Sequence, residues 1–243
     1  MPVAVLSDIH GNRHAFEAVL EDVRARDIAE LWCLGDIVGY GADPTACVEL
    51  AREHADICLA GNHDLAVTGE LSLEEFSRGA ALAARWTQEQ LGPDELGFLR
   101  SLSPEGRAGD VGLFHASPRD PVWEYVLSAL LADLCLDATD APVSLVGHSH
   151  VALAFARRDG ELASGSQARA GEVAELTGAR FLLNPGSVGQ PRDGDPRAAW
   201  LLLDPEEATA SWQRTTYDIA GAQAAIRAAG LPDSLAERLE YGQ

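Results

Sequence analysis

Residues 3–12 read VAVLSDIHGN, a short apolar run that ends in polar residues and glycine. A helical pattern follows at about 13–26, and the apolar runs 31–34 and 57–60 flank a second helical pattern at about 44–53. Strand-like runs that alternate with helical patterns indicate a parallel sheet covered by helices. The first quarter of the chain therefore predicts a βαβαβ arrangement.

The remainder of the chain is richer in predicted strands. Strands are expected at residues 111–115, 143–146, 152–157, 181–183, 200–203 and 210–216, and helices at about 76–91, 94–102, 123–136, 219–230 and 233–240. The pair Asp159-Gly160 is typical of a tight hairpin turn, so part of the sheet is expected to be antiparallel. Because no linker or repeat interrupts the chain, the sequence predicts one α/β domain over residues 1–243.

The predicted helix at 123–136 allows more than one interpretation. Its residues Tyr125, Leu130, Leu131 and Leu134 recur at helical spacing, which favours a core-facing stripe. The alternatives are that this helix forms a cap over a functional site or the contact face of a homodimer.

Composition excludes several classes of function. All 18 basic residues are arginines, so a P-loop lysine, a Schiff-base lysine and a pyridoxal phosphate anchor are excluded. The formal charge of −20 argues against polymeric nucleic acid as a partner. No apolar run is long enough for a bilayer span, and the four cysteines lack metal-site or disulfide spacing, so we expect a soluble, cytoplasmic protein with reduced core thiols.

Metal-type side chains follow five predicted strands, at the point where each strand ends. The groups are Asp8-Ile9-His10-Gly11-Asn12, Gly35-Asp36, Gly61-Asn62-His63-Asp64, His115 and Gly147-His148-Ser149-His150. The carboxyl ends of parallel strands lie along one edge of a sheet, so these side chains are expected to converge. They exceed what one tetrahedral site can use and suit two cations about 3.5–4 Å apart, for which Asp36 is the natural bridge.

These five blocks resemble the pattern D-x-H, G-D, G-N-H-D/E, H, G-H-x-H of the calcineurin-like metallophosphoesterase superfamily. Residues 39–44 (GYGADP) and 184–192 (NPGSVGQPR) are similar to stretches of its small bacterial and archaeal phosphodiesterase group. The resemblance extends to about residue 203. It implies a four-layer α/β/β/α sandwich of two mixed sheets with flanking helices.

The resemblance also implies a role for each motif residue. One metal would be held by Asp8, His10, Asp36 and His150, and a second by Asp36, Asn62, His115 and His148. A hydroxide between them would attack the phosphorus in line. His63 would donate a proton to the leaving group, and Asp64 would orient the His63 ring. Mixed oxygen and imidazole ligands favour Mn²⁺, with Fe or Zn²⁺ as alternatives.

Three further residues are candidate substrate contacts. Asn12 can cap the first helix and direct its positive end at an anionic substrate. Tyr40 either packs in the interior or lines a substrate pocket, and Arg192 is either an exposed arginine or a bidentate phosphate clamp.

The sequence thus predicts a dinuclear phosphoesterase for small phosphodiesters, nucleotides or phosphomonoesters. One alternative is a protein serine/threonine phosphatase, for which only Arg192 and Arg119 are candidate arginines around the metals. The other is a non-catalytic scaffold of the same fold, although no ligand of the motif is missing.

Overall fold

Twelve β-strands form two mixed sheets in the computed structural model, which describes residues 1–243. In spatial order, the first sheet contains β3 (Ile57–Cys58), β2 (Glu30–Cys33), β1 (Val3–Leu6), β11 (Ala198–Asp204), β12 (Thr209–Thr215) and β9 (Val173–Glu175). The first three of these strands run parallel, as the βαβαβ pattern predicts. The C-terminal strand β11 then pairs antiparallel with β1, so the two halves of the chain share this sheet.

The second sheet is built from the middle of the chain. In spatial order it contains β4 (Glu105–Ala108), β5 (Val111–Phe114), β6 (Val143–Leu145), β10 (Arg180–Pro185), β7 (Ala152–Arg157) and β8 (Ser164–Gln167). Strands β5, β6 and β10 run parallel, whereas the outer strands pair antiparallel. The carboxyl ends of β5 and β6 therefore lie at one edge of this sheet.

Side-chain alternation along the central strand β1 shows how the layers pack. Val3 and Val5 belong to the apolar cluster between the two sheets, whereas Ala4 and Leu6 pack against helices on the outer face. A strand covered on both faces has no polar side, which explains why β1 is apolar throughout.

Eight α-helices flank the sheets. They are α1 (Arg13–Ala25), α2 (Pro44–His54), α3 (Asn62–Val67), α4 (Arg78–Gln90), α5 (Pro93–Arg100), α6 (Ala129–Asp137), α7 (Ile219–Ala228) and α8 (Asp233–Tyr241). The outer face of the first sheet packs on α1 and α2, and α6 covers the second sheet. This confirms the four-layer sandwich. No helix combines the length and apolar character needed to cross a membrane.

The helix predicted at 123–136 is shorter than expected. Asp120 Oδ1 accepts hydrogen bonds from the backbone N–H groups of Val122 and Trp123, at 3.0 and 3.1 Å, which forms a turn instead of a helix. Ser128 then caps α6. Tyr125, Leu130 and Leu134 are exposed by 45, 69 and 42 %, so the prediction of a core-facing stripe is wrong for them.

The predicted hairpin turn forms within a longer loop. Glu161 N–H donates to Arg158 O at 3.1 Å, around Asp159 and Gly160. Strand pairing begins only where Ala156 faces Ser164, so residues beyond the dipeptide also belong to the connection. The antiparallel pairing itself is as expected.

Candidate metal centre

Seven buried donor side chains meet where parallel strands of both sheets end. Asp8 and His10 follow β1, Asp36 follows β2, and Asn62 begins α3 just after β3. His115 follows β5, and His148 and His150 follow β6. Each of the seven side chains is exposed by 3 % or less. The predicted convergence of these residues is therefore present in the structure.

The donor atoms form two groups that share Asp36. The ligand atoms of Asp8, His10, Asp36 and His150 lie within 4.8 Å of one another, as do those of Asp36, His115 and His148. Asp36 Oδ2 lies 3.4 Å from His10 Nε2 and 3.5 Å from His115 Nε2. Asn62 Oδ1 adjoins the second group, 3.2 Å from His115 Nε2.

Backbone carbonyl groups fix the tautomers of three of these histidines. The Nδ1 atoms of His10, His115 and His150 lie 3.0, 2.9 and 2.6 Å from the carbonyl oxygens of Val38, Leu34 and Gln190. Since a carbonyl oxygen can only accept, each Nδ1 carries the hydrogen and each Nε2 directs its lone pair into the cluster. This is the arrangement that metal-binding histidines use.

The centre contains several buried lone pairs that lack a hydrogen-bond donor. The Nε2 atoms of His10 and His150 face each other at 3.0 Å. Asp8 Oδ1, Asp36 Oδ2 and His148 Nε2 are buried without a hydrogen-bond partner. Such orphaned acceptors are costly in a protein interior. The donor set therefore fits divalent cations, which accept electron pairs from all of these atoms.

Burial dominates the proton affinities of the donors. Desolvation raises the pKa of Asp8 to about 7 and, together with the nearby Asp64, raises the pKa of Asp36 well above its usual range. Desolvation also lowers the pKa of His10, His148 and His150. The imidazoles are thus neutral, as ligation requires, and a cation would favour ionisation of the carboxyl groups.

Several residues around the centre have a positive φ angle, a backbone conformation that residues other than glycine rarely adopt. Six of the eight non-glycine residues with positive φ lie here: Asp8, His10, Asp36, Tyr40, His148 and His150, with φ between 51 and 63°. Each such residue costs free energy, and such strain concentrates at functional sites. The donors are therefore positioned at some expense of stability.

His63 lies beside the donor residues, and its ring packs against the aromatic side chains of Tyr40 and Phe76. Its ring packs 4.5 Å from the ring of Tyr40 and 5.0 Å from that of Phe76, and its Nδ1 has no hydrogen-bond partner. Burial, followed by the positive charge of Arg192, lowers the pKa of His63 to about 3. A Cβ on Gly39 would come within 2.5 Å of His63 Nδ1, so only glycine leaves room for the ring.

The expected contact between Asp64 and the His63 ring is absent, which corrects the role inferred for Asp64. Its carboxylate instead accepts hydrogen bonds from three backbone N–H groups, those of Gly61, Ile37 and Val38, at 2.8, 3.3 and 3.1 Å. Asp64 therefore fixes the loop that carries Asp36 and the start of α3.

A cavity of about 320 Å³ opens over the donor clusters. Tyr40 and Arg192 line it, together with the aromatic rings of Phe76 and Tyr125. Asn12 does not line this cavity. Its Oδ1 accepts a hydrogen bond from Ala15 N–H at 3.1 Å, so the predicted cap of α1 forms. Its Nδ2 donates to Gly189 O at 2.8 Å, so both polar atoms of the side chain are engaged within the protein.

The structure also places in the cavity residues that the sequence analysis did not assign as substrate contacts. Arg238 from α8 lines the cavity, and Phe76 lies in the segment before α4. Tyr125 stacks on His148 with ring centroids 4.1 Å apart. None of them belongs to a motif, and only their position in the fold identifies them.

Comparisons with known proteins agree with this geometry. The family model of the calcineurin-like phosphoesterase superfamily domain matches residues 1–208. An uncharacterized protein from Methanocaldococcus jannaschii is 38 % identical over 246 residues, which cover 99 % of this chain and 98 % of that protein.

Solved structures show the same fold. A metallophosphoesterase from Sphaerobacter thermophilus is 43 % identical, with a TM-score of 0.90 and coverage of 100 % of this chain and 99 % of that one. A hypothetical protein from Pyrococcus horikoshii OT3 is 20 % identical, with a TM-score of 0.79 and coverage of 100 and 98 %. The motif residues, the fold and these relatives together show that the chain belongs to the calcineurin-like phosphoesterase superfamily.

Proposed function

We propose that this protein is a two-metal phosphoesterase that hydrolyses small phosphodiesters, nucleotides or phosphomonoesters. The observation that supports this most directly is the pair of buried donor groups that share Asp36 on the floor of a cavity. A single carboxylate common to two ligand sets is the arrangement expected for a dinuclear centre.

The assignment of ligands follows the two groups. Asp8, His10, Asp36 and His150 would hold one cation, and Asp36, Asn62, His115 and His148 the other. Two bound cations would act as Lewis acids on the phosphate and lower the pKa of water towards about 7. Mixed carboxylate, amide and imidazole donors favour Mn²⁺, with Fe or Zn²⁺ as alternatives, over Mg²⁺, which prefers oxygen ligands.

His63 is the candidate proton donor beside the metal ligands. His63 lies next to the first donor group, with its ring centroid 4.8 Å from that of His10. We assign to it the proton that the leaving oxygen requires. Two bound cations would lower the pKa of His63 further, so this role requires that the negative charge of a bound phosphate raises it.

Metal content and substrate choice test the proposal. We expect two metal equivalents per chain, located by anomalous scattering, and Asp36→Asn should lower both metal content and activity, the latter by 100-fold or more, because a neutral amide cannot compensate two cations. Arg107→Gln, an exposed site paired with Asp140, is the control. Full activity with one bound ion contradicts the two-metal scheme.

Parallel assays should use bis(p-nitrophenyl) phosphate, a nucleotide panel and a phosphopeptide. Hydrolysis of the phosphopeptide alone would instead indicate a protein phosphatase, and no hydrolysis with any of the three metals would indicate a scaffold.

A further inference from the structure

Two arginines at the rim of the cavity share one neutral acceptor. Gln190 Oε1 accepts from Arg192 at 2.7 Å (Nη2) and 3.3 Å (Nε), and from Arg238 Nη1 at 3.0 Å. Neither guanidinium forms an ion pair, although the chain has 38 acidic residues against 18 arginines and eight other arginines do form ion pairs. The two adjacent guanidinium groups thus have no ion-pair partner within contact distance, although Glu75 lines the same cavity and the charge of Arg192 opposes the burial that raises the pKa of Asp8 and Asp36.

This pair is held in place by its surroundings. Gln190 is 2 % exposed, and its backbone N–H donates to Ser187 Oγ at 2.8 Å, which holds the backbone that carries the shared acceptor. A guanidinium has five N–H groups, and Gln190 occupies two on Arg192 and one on Arg238. The other side-chain N–H groups of both arginines have no hydrogen-bond partner within the protein, and both residues line the cavity.

The arginine pair borders the metal centre directly. Gln190 O accepts from His150 Nδ1 at 2.6 Å, and Arg192 N–H donates to His150 O at 3.1 Å. Arg192 and Arg238 line the same cavity as Asp36 and His150. A ligand bound at the donor clusters therefore has a strong cationic surface next to it.

Like charges this close repel, which disfavours the pair unless an anion neutralises it. Burial, followed by the charge of Arg192, lowers the pKa of Arg238, as expected for a partly buried guanidinium beside a like charge. Planar guanidinium groups bind phosphate oxygens through paired hydrogen bonds. The metals would already neutralise the reacting phosphate, so this pair can serve another anionic group.

We propose that Arg192 and Arg238, held together by Gln190, bind a second phosphate of the substrate while the first lies at the metal centre. The preferred substrate is then a small organic ester with two phosphate groups. This inference rests on the proposed phosphoesterase function and deepens it, since it assigns a specificity-determining role to a residue of the C-terminal helix α8.

A matched pair of dinucleotides tests the proposal: one dinucleotide with a 5′-terminal phosphate and the same dinucleotide without it. The measurement is cleavage of the internucleotide phosphodiester bond, which is identical in both, and release of the 5′-terminal phosphate is measured separately. An acidic protein surface repels the additional phosphate, so a preference for the phosphorylated form requires a local cationic site. We expect the kcat/KM of the wild-type protein to be at least tenfold higher for the phosphorylated form.

The variant Arg238→Gln should abolish that preference. Its loss of kcat/KM should be tenfold or more larger for the phosphorylated than for the unphosphorylated dinucleotide and should appear mainly in KM, whereas Arg238→Lys should restore part of the preference. Arg107→Gln is the matched control because it removes an arginine from the exposed strand β4. Thermal melting of each variant confirms that it is folded.

The outcomes separate the two proposals. Equal kcat/KM for both dinucleotides in the wild-type protein, or equal losses in Arg238→Gln, overturns the second-phosphate site and leaves the phosphoesterase function intact. Turnover of bis(p-nitrophenyl) phosphate without turnover of the phosphorylated dinucleotide also overturns it. Absence of turnover of every ester with Mn²⁺, Fe and Zn²⁺ overturns the phosphoesterase function, and the inference that rests on it.

Discussion

His63 differs from the seven donor residues because its ring lies outside both ligand groups and its Nδ1 has no partner. The resemblance implies that His63 is a proton donor and not a ligand, and the structure places its ring outside both donor groups. The division between ligands and proton donor is therefore open to test at single residues.

We expect His63→Ala to retain both metals and to lose activity according to the leaving group. A general acid contributes about 10²–10⁴-fold when the leaving alkoxide is basic and little when the leaving group is already stable as an anion. The rate deficit should thus be milder for a p-nitrophenyl ester than for an alkyl or ribose ester.

Metal analysis and kcat for both ester types check this prediction, with His54→Ala as the control, since His54 lies on α2 and pairs with Arg24. Loss of a metal from His63→Ala would show that His63 is a ligand.

Asp8 should make the stability of the metal-free protein depend on pH. Burial raises its pKa from 3.8 to about 7, so the folded protein retains a proton that the unfolded chain releases. The stability from this group is present below pH 4 and is lost as the pH rises through 7. Asp8→Asn does not titrate, and asparagine tolerates the positive φ of 55° at this position.

The measurement is denaturant unfolding of both proteins in EDTA between pH 4 and 8. The free energy of unfolding of Asp8→Asn, relative to wild type, should increase between pH 4 and 7 by at most about 4 kcal/mol and then level off. A difference that is constant over this range would contradict the assignment.

At the scale of the elements, the loop between β2 and α2 positions both Asp36 and the His63 ring. Gly39 in this loop has φ +92°, and its missing Cβ leaves space for His63. Gly69, after α3, has a similar φ of +87°, but a Cβ at this position would meet no atom within 4 Å. Alanine variants at these two glycines therefore separate the effect of backbone strain from the effect of displacing the His63 ring.

Gly69→Ala should lose about 1 kcal/mol of stability, because alanine at positive φ is strained, and Gly39→Ala should lose more, because its methyl group also collides with the buried His63 ring. Only Gly39→Ala should also reduce kcat, by tenfold or more, since its methyl group displaces His63. Thermal unfolding and steady-state kinetics of the two variants check this. Equal kcat values would show that the position of the ring is not critical.

Elements were predictable from the sequence where burial imposes a pattern. Strand β1 is apolar throughout because both of its faces are covered, and it coincides with the apolar run at the start of residues 3–12. The edge strands β4 and β8 (EGRA and SGSQ) carry no such pattern because much of their surface faces solvent. The turn at Asp120 was missed because side-chain hydrogen bonds override the apolar spacing that predicted a helix.

At the scale of the whole molecule, the charge distribution should exclude long polyanions. With 38 acidic residues against 18 arginines, no extended cationic track is available for neighbouring phosphates of a polymer. We therefore expect higher kcat/KM for a dinucleotide or cyclic nucleotide than for single-stranded or duplex DNA.

Kinetics at two salt concentrations check this expectation. Faster turnover of DNA that weakens steeply with salt would indicate a basic groove and a nuclease.

The candidate site was only partly predictable from the sequence, because some of its residues are brought together by tertiary packing alone. The ligands follow strands at fixed spacing, so sequence order alone places them at one edge of the fold. Arg238 meets Arg192 only because α7 and α8 pack through Ile226, Leu235 and Leu239 against Ala83 of α4. Such a contact depends on tertiary packing and leaves no local signal.

Each donor group contains residues from both sheets: Asp8 and Asp36 from the first, His148 and His150 from the second. Cations held by these residues would cross-link the two layers at one end of the sandwich, in the manner of a disulfide. At the other end, Val3, Trp32 and Val143 border an apolar cavity of about 640 Å³ with no such link. The metal-loaded protein is therefore expected to be stiff at the end that contains the donor groups and to begin unfolding from the opposite end.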